Sequence, residues 1–110
     1  MKFSDFVTST AIRPNLSAVG KDDVIREMTT ALVEAGAIAE SELESTIKAI
    51  TKREELGSTG IGRGVAVPHT KHPSVDRLVG TVGVSIEGVD FKSLDGEKVH
   101  LFFLLISPPD

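Results

Sequence analysis

Val99-His100-Leu101-Phe102-Phe103-Leu104-Leu105-Ile106, set between the turn signal Asp95-Gly96 and the closing Ser107-Pro108-Pro109-Asp110, decides the fold. Seven of its eight residues are apolar. The run is too short to span a bilayer and too continuously apolar for a strand with one wet face, so it predicts a central strand covered on both faces. Just upstream, from Val79, the pattern has period two, with Val82, Val84 and Ile86 on one face and Thr81, Gly83 and Ser85 on the other. That predicts a second strand, ending in a turn at Glu87-Gly88.

Further upstream the period becomes helical. From about Asp22 to Ala35, Val24, Ile25, Met28, Leu32 and Val33 share one face; Asp22 and Asp23 favour the positive N-terminal end, and Gly36 supplies a stop. A second helix is expected to open at Ser41, where Ser41-x-x-Glu44 matches a capping box, to carry Leu43, Ile47 and Ile50 inward, and to end at Gly57. Its last turn holds Lys52 and Arg53, where cations complement the helix dipole. The acidic pairs Asp22-Asp23 and Glu54-Glu55 read as a helix start and a solvated face rather than as paired acid/base carboxylates.

A chain of 110 residues holds one domain with one core. With 40% hydrophobic and 25% charged residues it has the balance of a folded globular protein. Sixteen acidic against 12 basic residues give a net charge of -4, which disfavours nucleic acid as a partner. The absence of cysteine excludes disulfides, a thiol nucleophile and thiolate zinc sites, and fits a reducing, cytoplasmic setting. Neither a signal peptide nor a membrane span is evident, so no membrane insertion is expected. A sheet covered on both faces needs a helical layer on each side, yet the helices legible here all precede the sheet. One layer is therefore expected to be absent from this chain, and the uncovered face predicts self-association or poor solubility.

The stretch from Ser58 to Thr70, Ser58-Thr59-Gly60-Ile61-Gly62-Arg63-Gly64-Val65-Ala66-Val67-Pro68-His69-Thr70, is the one a plain structural domain does not require. Its glycines permit close backbone approach, and the hydroxyls of Ser58 and Thr59 beside Arg53 and Arg63 suggest an anion-binding concavity. A glycine-rich turn ahead of a short strand at Val65-Ala66-Val67 accounts for the same residues without a ligand. The pattern lacks the Gly-Lys-Ser/Thr of a nucleotide P-loop, and no nucleotide cofactor is implied. His69 follows Pro68, which cannot continue a central strand, and so is placed at a strand end. An imidazole there can attack phosphorus with one nitrogen while an acceptor holds the proton of the other. Two imidazoles at His69-x-x-His72, without Cys or a placed carboxylate, make a poor zinc site.

The run from Arg53 through Leu56-Gly57-Ser58-Thr59-Gly60-Ile61-Gly62 to Val67-Pro68-His69 resembles the phosphorylation-site region of the fructose/mannitol-type (type 2) enzyme IIA domains of the bacterial phosphoenolpyruvate-dependent sugar phosphotransferase system. The likeness extends upstream through Ala35-Gly36-Ala37-Ile38 and downstream to Ser107-Pro108-Pro109-Asp110, covering essentially the whole chain. It implies a three-layer α/β/α domain with a mixed sheet over residues 1–110, truncated at the C-terminus so that the later helices are missing. It assigns the phosphoacceptor role to His69, taking a phosphoryl group from phospho-HPr and passing it to a IIB domain, without metal or other cofactor. Arg53 is implied as a catalytic partner. Ser58, Thr59, Gly60 and Arg63 are the candidates for holding the phosphate, Arg63 with the least support because that position varies in the family.

Such domains carry a second active-site histidine beyond the Pro-Pro-like turn, where this chain has ended, which puts transfer competence in question. Neither His72, expected in a solvated loop, nor His100, expected to be satisfied in the core or at a sheet end, replaces it by motif. Within the family, sugar uptake and nitrogen regulation both remain open, with regulatory target proteins replacing the IIB domain in the second; the wording from Leu56 to Gly62 is common to both branches. A non-transferring sensor or interaction module is the alternative from a different class.

Overall fold

The computed structural model describes residues 2–109; Met1 and Asp110, the latter quoted above, lie outside them. Two α-helices, α1 (Lys21–Glu34) and α2 (Leu43–Glu55), precede five strands: β1 (Gly60–Gly62), β2 (Val65–Ala66), β3 (His69–Lys71), β4 (Val79–Val89) and β5 (Val99–Ser107). β5 is central. It pairs antiparallel with β4 along one edge and parallel with β2 and then β3, end to end, along the other, while β1 adds antiparallel to β2. Pro68 sits in the gap between β2 and β3, where a missing N–H costs no ladder bond, and its carbonyl still accepts from the Leu105 N–H at 3.0 Å. The outer edge of β4 is closed by the N-terminal segment, whose Thr8, Arg13 and Leu16 N–H groups donate to the carbonyls of Gly80, Val82 and Val84.

Residues opposed across an antiparallel pair share a face, which sorts the sheet into two surfaces. On one, Thr81 opposes Leu104 and Gly83 opposes Phe102; on the other, Val82 opposes Phe103 and Val84 opposes Leu101. The helices cover the first. Phe102, Leu104 and Ile106 are fully buried there with Val24, Ile25, Met28, Leu32 and Ile50. A methyl on Gly83 would stand 2.9 Å from Leu16 Cδ1 and 3.1 Å from Met28 Sδ, so the small face of β4 is small because α1 packs close upon it. Leu101, Phe103 and Leu105, with Val82 and Val84, are only half-buried. The predicted mixed sheet and central strand are present, but among the described residues β5 carries helix on one face alone.

Three local expectations are corrected. α2 opens after a 3-10 turn (Glu40–Glu42) with Glu42 as its N-cap and no side-chain cap, so Ser41-x-x-Glu44 does not close a capping box. Glu44 instead pairs with Arg26 of α1 in a two-pronged contact of 2.8 Å per bond, which holds its carboxyl below the ordinary value, hydrogen bonding first and charge second. Glu87-Gly88 is no chain-reversing turn: β4 continues to Val89 through a register shift, with Gly88 at φ 86° and too close to His100 for a side chain. His72 is half-buried rather than solvated, its Nδ1 accepting the Ser74 N–H at 3.0 Å and lying 3.4 Å from Thr46 Oγ1 on α2.

Candidate functional site

Pairing of His69 with Leu105 puts His69 at the first position of β3 on the open face of the sheet. Its ring is exposed. Nδ1 lies 2.7 Å from the Val67 carbonyl, and because a carbonyl can only accept, Nδ1 carries the proton and Nε2 presents its lone pair outward. Pro68 fixes the backbone between the two, so this short return bond is built into the Val67-Pro68-His69 turn.

The imidazole borders a recess of about 350 Å³ lined by Arg53, His69, Thr70, Lys71, Leu78, Leu105 and Ser107. Arg53 reaches it from the last turn of α2, where its guanidinium also donates to the Gly57 carbonyl at 3.0 Å. It thus serves both as complement to the helix end and as a cation beside His69. Lys71, two residues along the strand and so on the same face as His69, adds a second cation that the sequence reading did not single out.

The remaining predicted site residues lie elsewhere. Ser58 Oγ donates to the Phe91 carbonyl at 2.6 Å and accepts the Gly60 N–H at 3.0 Å. Thr59 is buried; its N–H reaches both carboxylate oxygens of Glu54 at 3.0 and 3.1 Å, and its hydroxyl donates to Glu54 Oε1. Gly60 is pressed on Ser93, where an added methyl would fall 2.2 Å from the hydroxyl and 3.0 Å from Cα. The hydroxyls of Ser58 and Thr59 and the N–H groups of Thr59 and Gly60 are therefore engaged within the protein, and none of the three residues lines the His69 recess.

Arg63, at φ 58°, lines a separate recess with Gly64, Gly96, Glu97, Lys98 and His100. Its N–H donates to Asp95, whose carboxyl is held below its ordinary value by the Glu97 N–H first and that of Arg63 next. His100 is exposed at the start of β5 with Nδ1 bonded to the Ser85 carbonyl at 2.9 Å, the sheet-end arrangement.

The residue that sequence reading misplaced is Glu54. Expected on a solvated face, it is 5% exposed and forms an ion pair of 3.0 Å with Lys21. Ile47, Ile50 and Glu54 stand at helical spacing i, i+3 and i+7, so the apolar stripe of α2 already carried it inward while Glu55 turned out. Among the described residues no three His, Asp or Glu side chains gather to hold a metal ion.

The family model described as the phosphoenolpyruvate-dependent sugar phosphotransferase system, EIIA 2, matches residues 5–110. The chain is 40% identical over 105 residues to the fructose-specific EIIABC component of Bacillus subtilis, covering 96% of this chain and 16% of that protein. It is 32% identical over 108 residues to a nitrogen regulatory protein of Bradyrhizobium diazoefficiens, covering 98% of this chain and 69% of that protein. The nitrogen regulatory protein IIA-Ntr of Neisseria meningitidis superposes with a TM-score of 0.84 at 28% identity, covering 96% of this chain and 70% of that one. IIA mannitol of Escherichia coli, at 23% identity and a TM-score of 0.75, shares the fold over 91% of this chain and 70% of its own. The chain thus spans a small part of the fused fructose component and about seven tenths of the shorter relatives. It belongs to the type 2 EIIA family of the phosphoenolpyruvate-dependent sugar phosphotransferase system.

Proposed function

We propose that this chain is a phosphocarrier whose His69 Nε2 accepts a phosphoryl group from phospho-HPr and hands it to a IIB domain or, in the regulatory branch, uses it to govern binding to target proteins. The observation that carries this is the exposed His69 ring, held by the Val67 carbonyl so that Nε2 points out, in one recess with Arg53. The Nε2 lone pair attacks phosphorus as the bond from phosphorus to the donor histidine's nitrogen breaks. One N–P bond forms as the other is lost, and the Nδ1 proton stays on His69, its positive charge eased by the Val67 carbonyl. Arg53 supplies charge for the equatorial phosphoryl oxygens, and Lys71 adds to the same potential. Little else is required, because transfer between two histidines depends on in-line positioning and charge stabilisation.

Ser58, Thr59 and Arg63 are left out of the phosphate contacts on the geometry above. Relatives from the fructose and nitrogen-regulatory branches support the carrier role in common, so the acceptor is proposed as a class. We place this chemistry in the cytoplasm, in keeping with the cysteine-free sequence.

The test is incubation with phosphoenolpyruvate, enzyme I and HPr, followed by intact-mass analysis of the wild type and His69→Ala. One acid-labile phosphoryl group on the wild type alone is expected, discharged on addition of a fructose-type IIB domain if the uptake branch is correct. Retention of the label with IIB present points to the regulatory or sensor branch. Equal labelling of His69→Ala overturns the assignment.

A further inference from the structure

Glu54 carries a buried carboxylate that the proposed transfer does not use; hydrogen bonds run from that carboxylate toward His69 and from the main chain of the same residue toward Arg53. It holds Thr59 by the N–H and the hydroxyl. The Thr59 carbonyl in turn accepts the Val67 N–H at 3.1 Å, and the Val67 carbonyl accepts His69 Nδ1–H at 2.7 Å. On the other side, two residues before Thr59, the Gly57 carbonyl accepts Arg53 at 3.0 Å, and the Gly57 N–H returns to the Glu54 carbonyl at 3.1 Å. The Glu54 carboxylate therefore roots, through Thr59, the acceptor that fixes the His69 tautomer, while the main chain of the same residue holds the carbonyl that seats Arg53.

The root is itself anchored. Lys21, the first residue of α1, pairs with Glu54 at 3.0 Å, donates to the Phe91 carbonyl at 3.4 Å and lies 4.8 Å from the centre of the Phe91 ring. Ser58 Oγ shares that Phe91 carbonyl. The ends of both helices, the glycine-rich loop and the segment after β4 are thereby tied at one point. Burying a carboxylate is costly unless charge and hydrogen bonds compensate it, and here an ammonium and two donors from one threonine do so.

We infer that Glu54 and Thr59 form a positioning pair for the phosphoryl site, setting the ring orientation and tautomer of His69 without touching the phosphoryl group. This deepens the proposed function and rests on His69 as acceptor. Thr59→Val keeps shape and N–H but removes the hydroxyl; Glu54→Gln keeps shape and removes the charge; Thr59→Ser retains the hydroxyl.

The experiment has two arms: nitrogen-15 NMR of the His69 ring, which reads the tautomer with no phosphoryl donor present, and the rate of labelling from phospho-HPr. Wild type and Thr59→Ser are expected to show the Nδ1–H form. Thr59→Val and Glu54→Gln are expected to populate the Nε2–H form measurably and to be labelled about 10-fold more slowly, with the far-ultraviolet circular dichroism unchanged. A merely structural role lowers the rate only by the unfolded fraction and leaves the tautomer of the folded molecules alone; that result in Thr59→Val overturns the inference. Should Glu54→Gln not fold, Thr59→Val decides. Should the wild type not be labelled on His69, the carrier reading fails while the tautomer arm still decides whether Glu54 and Thr59 set the ring.

Discussion

Phe102 and Phe103 are adjacent in sequence and face opposite sides of β5, so replacing each with alanine measures how far the two faces differ. Phe102 is fully buried under the helices and meets Phe91 edge-on, with ring centroids 5.2 Å apart and planes at 65°. Deleting such a ring costs about 4 kcal/mol, combining lost transfer energy, a residual cavity and the aromatic pair. Phe103 is half-buried on the face that no helix covers among the described residues, and half of a phenylalanine's burial is worth about 1 to 1.5 kcal/mol. With an m-value of about 1.5 kcal/mol/M for a chain of this size, Phe102→Ala lowers the urea midpoint by about 2.7 M and Phe103→Ala by about 1 M or less. Because the loss at Phe102 is a large share of a domain's stability, Phe102→Leu serves as a milder companion. The assay is equilibrium urea unfolding followed by far-ultraviolet circular dichroism at two protein concentrations. The open face is also the expected surface of self-association, and a Phe103→Ala cost that grows with concentration measures its coverage by a second copy. Equal, concentration-independent costs at the two positions refute the one-sided packing.

Arg53→Ala is expected to slow labelling of His69 on the order of 100-fold in quenched-flow mass analysis, while stability falls by only about 1 kcal/mol for the lost bond to the Gly57 carbonyl. Gly60→Ala brings a methyl against the Ser93 backbone, not only its hydroxyl, and should lower stability by about 1 to 3 kcal/mol in calorimetry. Asp95, with its folded pKa depressed by the N–H groups of Glu97 and Arg63, contributes stability that is present above the ordinary aspartate range and lost as pH falls through its lower folded value. Acid unfolding of Asp95→Asn, compared with wild type, should show a shallower dependence on pH across that window.

The elements legible in the sequence were those whose burial follows a period: the stripe of α1 from Val24 to Leu32, the run from Val99 to Ile106, and the alternation from Val79. Their layering was less legible, because alternation says which residues share a face but not which face meets the helices. In β4 the side that meets α1 is Thr81, Gly83 and Ser85, and the more apolar Val82, Val84 and Ile86 face outward. Close approach of Met28 and Leu16 to Gly83 decides this, and it is a property of two elements distant in sequence. Of the site, His69 and Arg53 were legible from the motif and do share a recess. The partners of the Ser58 and Thr59 hydroxyls are not legible in the sequence, because a hydroxyl's partner is a tertiary fact: theirs are the Phe91 carbonyl and Glu54.

The division of labour in the glycine-rich stretch follows from donor arithmetic. A phosphoryl cradle built from loop amides needs N–H groups aimed at solvent, yet those of Thr59, Gly60, Arg63 and Val67 are bound to Glu54, Ser58, Asp95 and the Thr59 carbonyl. Positive charge at His69 therefore comes from side chains that reach the recess from two different elements, Arg53 from α2 and Lys71 from β3. Such a site is open. The proposed carrier role benefits from that, since on that proposal donor and acceptor must in turn bring a phosphoryl group in line with the same Nε2, and a closed pocket would admit neither. On that proposal the hydrogen-bonded loop and the exposed imidazole are complementary: the bonds of Thr59 and Gly57 lead to the groups that hold the ring and the arginine, and a partner would supply the rest of the enclosure on an apolar floor of Leu78 and Leu105.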